Sequence, residues 1–175
     1  RKNISVIMSG SSARKLKRGA ANLLGGRALD LKLHPFTSAE LGERFDIDTA
    51  VETGTLPKIY LARMEEGKEK AAAWLRSYIT TYVKQEVQAE ALTRNIGAFQ
   101  RFLAVAAQSN GQVIEYANIS RECSVPASTV KEYYQITIDT LLGRFLPAWT
   151  GRSKRRLIRS PKFFFTDVGV TASLC

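Results

Sequence analysis

The sequence predicts a mainly α-helical protein with a minor β component, and three observations carry that prediction. Apolar residues recur at helical spacing from Lys68 to Leu92 and again from Ala98 to Gly143. The β-rich runs stand only towards the two ends, Ile4–Met8 and Leu29–Leu33 at one, Phe145–Trp149 and Leu157–Thr166 at the other. Turn formers at Gly54, Pro57, Gly111 and Pro126 divide the helical stretches from one another.

Taken in order, Ile4-Ser5-Val6-Ile7-Met8 is composed like a strand from the middle of a sheet, and it runs into a turn over Ser9-Gly10-Ser11-Ser12. Leu29–Leu33 is the only strand candidate near it, and two strands make a marginal sheet. The chain is therefore expected to be the C-terminal piece of a longer protein. Residues 1–36 are expected to be its least native part, with the edge of Ile4–Met8 covered by a second copy of the chain. Between the two strands, Ala13–Leu24 reads as a short helix stopped by Gly25-Gly26, with Arg27 at the stop.

Residues 37–93 read as a helical region. A helix opens near His34-Pro35-Phe36-Thr37-Ser38, with Thr37 or Ser38 as its cap. Gly54-Thr55-Leu56-Pro57 breaks the chain. The long helix from Lys68 to Leu92 then carries a stripe of Ala71, Leu75, Tyr78, Ile79, Tyr82 and Val83.

Residues 94–175 form the last unit. Ala98–Gln108 is a helix with Phe99, Phe102, Leu103 and Ala106 inward, stopped by Gly111. Tyr116–Cys123 is a second helix, and Pro126 introduces a third in which Val130, Tyr133, Tyr134, Ile138 and Leu141 keep helical spacing. Cys123 and Val125 supply apolar anchors at the turn between the two, and Ala117 is small where the helices cross. The two β-rich runs follow, joined by Gly151 and a basic cluster. A helix, a helix-turn-helix and a basic hairpin, in that order, predict a winged helix.

Charge narrows the function. Lys and Arg outnumber Asp and Glu by 26 to 16, for a net charge of +10, which favours an anionic partner. The cations cluster: Arg14, Lys15, Lys17 and Arg18 near the start, and Arg152, Lys154, Arg155, Arg156, Arg159 and Lys162 near the end, the latter with no acid among them. The apolar runs are too short to span a membrane, and no signal peptide is read at the basic start. Cys123 and Cys175 have neither disulfide nor metal-ligand spacing, so a reduced, cytoplasmic setting is expected. His34 stands alone and reads as a surface or structural residue. No metal site is expected.

With these pieces in place, the chain resembles the C-terminal part of the bacterial and archaeal AAA+ ATPases that carry a C-terminal domain of unknown function. The resemblance rests on short motifs in a fixed order. These are Met8-Ser9-Gly10-Ser11-Ser12, Leu24-Gly25-Gly26-Arg27, Leu33-His34-Pro35-Phe36-Thr37 with Glu40-Leu41, Gly54-Thr55-Leu56-Pro57 and the long helix with Tyr78 and Tyr82. The helix-turn-helix with Ser128-Thr129-Val130 follows, and the series ends at Ser160-Pro161-Lys162-Phe163-Phe164-Phe165-Thr166-Asp167-Val168-Gly169. It implies that residues 1–36 are the end of an AAA+ core, that Ser9 reads the γ-phosphate as sensor 1, and that Arg27 reaches a neighbouring subunit's nucleotide in a homo-oligomer. A plain turn at Ser9 and a surface salt bridge at Arg27 are the competing readings.

The sequence also departs from that family. It has no GxxxxGK[ST] phosphate loop and no apolar strand ending in paired acids. ATP and Mg²⁺ are therefore expected only for a full-length protein, and this chain is expected to be catalytically inert, without cofactor. Family members often continue into a nuclease-like region, whose motifs are missing here.

Two functions remain in competition. The first is nucleic-acid binding, DNA ahead of RNA, with Ser128, Lys131 and Gln135 facing a groove and Arg152, Lys154, Arg155 and Arg156 on phosphates. Glu132 and Asp139 make the third helix poorly basic, so backbone contacts dominate this reading. The second is a protein-interaction module that docks a partner on the third-helix face with Lys131, Tyr134 and Gln135. A solvated loop is the bland reading of the basic cluster.

Overall fold

The computed structural model describes residues 7, 9, 29, 31–82, 87, 95–149 and 160–175. Among these the fold is mainly helical, with one small antiparallel sheet. The helices are α1 (Ser38–Leu41), α2 (Ile47–Thr53), α3 (Pro57–Glu65), α4 (Lys68–Tyr82), α5 (Ile96–Gln108), α6 (Tyr116–Cys123), α7 (Ala127–Asp139) and α8 (Val168–Leu174). A single 3-10 turn at Gly42–Arg44 follows α1, and the strands are β1 (Gly143–Leu146) and β2 (Lys162–Phe165).

Local chemistry sets the helix ends. Thr37, not Ser38, caps α1: its hydroxyl accepts from the Glu40 amide at 3.3 Å while Glu40 Oε2 accepts from the Thr37 amide at 2.8 Å. Asp46 caps α2, accepting the Thr49 amide at 2.7 Å. Pro57 opens α3, where its missing N–H costs nothing. Asn95 caps α5 through the Ala98 amide at 2.9 Å.

The expected strand at Leu29–Leu33 is not one. Its described residues, Leu29, Leu31, Lys32 and Leu33, lie in irregular backbone and are exposed. A strand needs a neighbouring ladder to satisfy its amides, and the sheet among the described residues is built elsewhere. Of Ile4–Met8 only Ile7 is described, and it too is exposed and outside any strand. The expected helix at Ala13–Leu24 lies outside the described residues, as do positions 83–86 and 88–92 of the long helix expected from Lys68 to Leu92. Within α4, Ala71, Leu75 and Tyr82 are buried as the stripe requires, whereas Tyr78 sits on its flank, 39% exposed.

The strands pair with Gly143 opposite Phe165, Arg144 opposite Phe164, Phe145 opposite Phe163 and Leu146 opposite Lys162. They are shorter than the β-rich runs suggest. A third chain segment, between α5 and α6, joins the other edge of β2. Val113 bridges to Lys162, the Gly111 amide donates to Phe163 O at 2.8 Å and the Ile114 amide to Pro161 O at 3.0 Å.

One apolar core runs through nearly all of this. Ile59 of α3 and Ala71, Leu75 and Tyr82 of α4 join the inner faces of α5, α6 and α7, Phe163 and Phe165 of β2, and Val170 of α8. Its centre is aromatic. Tyr134 stands edge-on to Phe102 at 4.8 Å and to Phe163 at 4.8 Å, and Phe99 meets Tyr133 at 5.1 Å. A smaller cluster of Leu41, Ala50 and Tyr60, with Phe36 and Phe45 against it, holds α1 to α3 together. The main core therefore crosses position 94. α8 packs on α2, α4 and α5, and the Tyr82 hydroxyl lies 2.7 Å from the Thr140 hydroxyl at the end of α7.

Candidate nucleic-acid interface

The candidate surface is built on α6, α7 and the hairpin. α6 ends at Ser124, whose φ of 55° is left-handed, and the Val125 amide returns to Ser120 O at 3.2 Å. The Ser120 hydroxyl donates to Val125 O at 2.6 Å, and Pro126 then leads into α7. Cys123 and Val130 are fully buried on either side of this turn, as their apolar character requires. Burial pushes the Cys123 thiol up from its ordinary value, which keeps it protonated and unreactive. Arg101 of α5 donates to Cys123 O at 3.3 Å, so one carbonyl at the end of α6 is satisfied by a side chain.

With the inner side of α7 anchored, Ser128, Lys131 and Gln135 share its exposed face, as their spacing predicts. The chemistry of that face is nearly neutral. Lys131 Nζ sits 5.3 Å from the centre of the Tyr116 ring, and exposed Glu132 is its direct neighbour. Gln135 Nε2 donates to Asp139 Oδ1 at 2.8 Å, so part of its hydrogen-bonding capacity is already used.

Tyr134 does not belong to this face. It is 1% exposed, and burial pushes its phenol far above the usual tyrosine range. The reason is that α7 lies between other helices and the sheet, so two adjacent positions, Tyr133 and Tyr134, both point inward. The docking face read from the sequence therefore loses its aromatic member.

Arg152, Lys154, Arg155 and Arg156 lie outside the described residues, as does Arg27. Ser9 is exposed in irregular backbone. The chain carries no GxxxxGK[ST] phosphate-loop motif. Among the described residues no group of three His, Cys, Asp or Glu could hold a metal ion, and no helix is long and apolar enough to cross a membrane.

What the sequence reading overlooked is the outward face of the sheet. Arg144 and Leu146 of β1 alternate with inward Gly143 and Phe145, and Lys162 and Phe164 of β2 alternate with buried Phe163 and Phe165. Three consecutive phenylalanines at 163–165 carry no polar-apolar alternation, and the register that places Arg144 opposite Phe164 was not readable.

Fold and surface together define a helical body closed by a three-helix unit and a hairpin with a basic connection. The chain belongs to the family described as "Domain of unknown function (DUF8612)", whose match covers residues 44–175. It is also similar to two mycobacterial proteins, uncharacterized protein Rv2008c of Mycobacterium tuberculosis and uncharacterized protein Mb2031c of Mycobacterium bovis. Each is 27% identical over 164 residues, 94% of this chain and 36% of the relative. The chain thus spans about a third of the length of the curated relatives it matches. No solved structure matches it.

Proposed function

We propose that residues 94–175 are a winged helix-turn-helix that binds nucleic acid, DNA ahead of RNA, mainly through the phosphate backbone. In this reading α6 and α7 are the helix-turn-helix, β1 and β2 are the strands of the wing, and the segment at Val113 is the short strand that joins them. The bridge from Val113 to Lys162 supports it, because it ties the segment between the first two helices to the hairpin.

The observation that carries the binding proposal is the connection between β1 and β2. Residues 147–161 hold Arg152, Lys154, Arg155, Arg156 and Arg159 and no acid. Five cations within eight residues of sequence repel one another unless an anion or solvent separates them. The α7 face, by contrast, offers Lys131 beside Glu132 and a Gln135 already bonded to Asp139. Phosphate contacts by these cations therefore dominate, and base readout by Ser128, Lys131 and Gln135 is secondary.

In the same proposal the chain is the C-terminal part of an AAA+ ATPase whose remainder supplies the nucleotide site. Ser9 and Arg27 act only there, Arg27 across a homo-oligomer interface, and the protein works in the cytoplasm. The chain alone should then bind no ATP in calorimetry with Mg²⁺, and micromolar binding would contradict this assignment.

The direct test is titration of labelled DNA with the chain at rising salt. Binding at low salt that falls steeply with salt supports phosphate contacts. Absence of binding at low salt favours the second reading, a protein-docking module, which the mixed charge of Lys131 and Glu132 on α7 would suit.

A further inference from the structure

We infer that the outward face of the sheet is a stacking platform for single-stranded nucleic acid, an inference that rests on the nucleic-acid reading above. The face is made of described residues alone. Across one row stand Val113, Lys162 and Leu146, directly opposite one another through the bridge and the hairpin register. Beside it, Phe164 and Arg144 stand opposite one another in the hairpin register, and Gly111 lies against the Phe164 ring. None of these six positions carries an acid.

Three features of this surface match a single strand. Phe164 stands opposite Arg144 in the hairpin register and has Gly111, with no side chain, against its ring. A Cβ on Gly111 would stand only 3.2 Å from Phe164 Cε1, so the glycine makes room for the ring on the sheet surface. Trp149, three residues beyond β1, is 92% exposed, and Leu146 and Val113 are each 55% exposed. These apolar side chains are open to a partner. Arg144 stands opposite Phe164 and Lys162 opposite Leu146, so the hairpin face offers two exposed cations to a passing backbone.

Duplex DNA buries its base faces in its own stack, so it cannot use Trp149 or Phe164 in this way. A single strand can, since every base has a free π-face and stacking tolerates any sequence. An acidic protein would match Arg144 and Lys162 but would gain nothing particular from an indole that is 92% exposed.

The test uses the whole chain carrying Trp74→Phe, so that Trp149 is the sole tryptophan of the two. Its emission is followed while oligothymidylate, or a duplex of equal length, is added at low salt. The account expects quenching by the oligothymidylate and affinity about tenfold or more above that for the duplex, the share of one stacked base. In the parent chain, Trp149→Ala should cost a similar factor for the single strand and little for the duplex. Because Trp149 is almost wholly exposed, that variant leaves the core intact. Equal or tighter duplex binding, or unchanged Trp149 emission at saturating oligothymidylate, would overturn the platform while leaving the basic-loop reading standing. Failure of both DNAs to bind at low salt would overturn both.

Discussion

The Asp167 carboxylate accepts the Thr55 amide at 2.7 Å across 112 residues of chain. The same oxygen accepts the Leu56 amide at 3.1 Å, and the other accepts the Val170 amide at 3.1 Å as the cap of α8. One buried side chain thus ends the hairpin, starts the last helix and fixes the loop between α2 and α3. Two glycines make the approach possible. A Cβ on Gly54 would lie 2.0 Å from Asp167 Oδ1, and one on Gly169 would lie 2.0 Å from Thr53 O.

The first prediction follows from that geometry. Gly54→Ala meets both the carboxylate and a φ of 75°, and Gly169→Ala meets backbone. Each should lower the unfolding free energy by about 3 kcal/mol or more, and Asp167→Ala by about 3 kcal/mol, since it strands three amides. Urea denaturation checks this, and near-parental midpoints for the glycine variants would contradict the joint.

A pH dependence belongs to the same residue. Burial raises the Asp167 carboxyl above its ordinary value, even against the amides that hold its ionised form. A folded state that holds its proton more tightly than the unfolded chain is favoured at low pH. The Asp167 contribution should therefore be greatest below about pH 4, decline as pH rises towards the raised value, and stay flat above it. The difference in unfolding free energy between the parent and Asp167→Asn, measured from pH 3 to 7, should show that decline. A difference that grows with pH would reverse the sign.

Ser124 supplies a prediction in the stabilising direction. It holds φ at 55° at the end of α6 with its side chain exposed, a conformation that glycine adopts without strain. Ser124→Gly should stabilise the chain by about 0.5–1 kcal/mol, roughly 1–4 °C in Tm, after the larger unfolded-state entropy of glycine is offset. A lower Tm would show that the side chain does more at this turn than its exposure suggests.

Much of the helical architecture was legible because it is local. The periodicity of Tyr116–Cys123 gave α6 its observed limits, Pro126 placed the start of α7, and the cap of α1 was narrowed to Thr37 or Ser38, of which the structure uses Thr37. α8 was not legible. Val168-Gly169-Val170-Thr171 is poor in helix formers, and the helix exists because Asp167 caps it and α2 packs on it. The Asp167 joint links residues far apart in sequence, so its two halves read only as separate short motifs. Tyr134 was read both in the apolar stripe of the third helix and on its docking face, and at 1% exposure it belongs to the stripe. The platform was missed because a strand pattern shows which residues alternate but not which stand opposite.

The central claim is that cations between the strands hold nucleic acid by its phosphates, and one measurement addresses it most directly. The salt dependence of DNA affinity is compared between the parent and a variant with Arg152, Lys154, Arg155 and Arg156 all changed to Gln. The account predicts weaker binding about equally across sequences. The log-log salt slope should flatten by about 0.9 for each phosphate left without its cation on duplex, and by about 0.7 on single strand. Affinity equal to the parent's at low salt, with an unchanged slope, would contradict it.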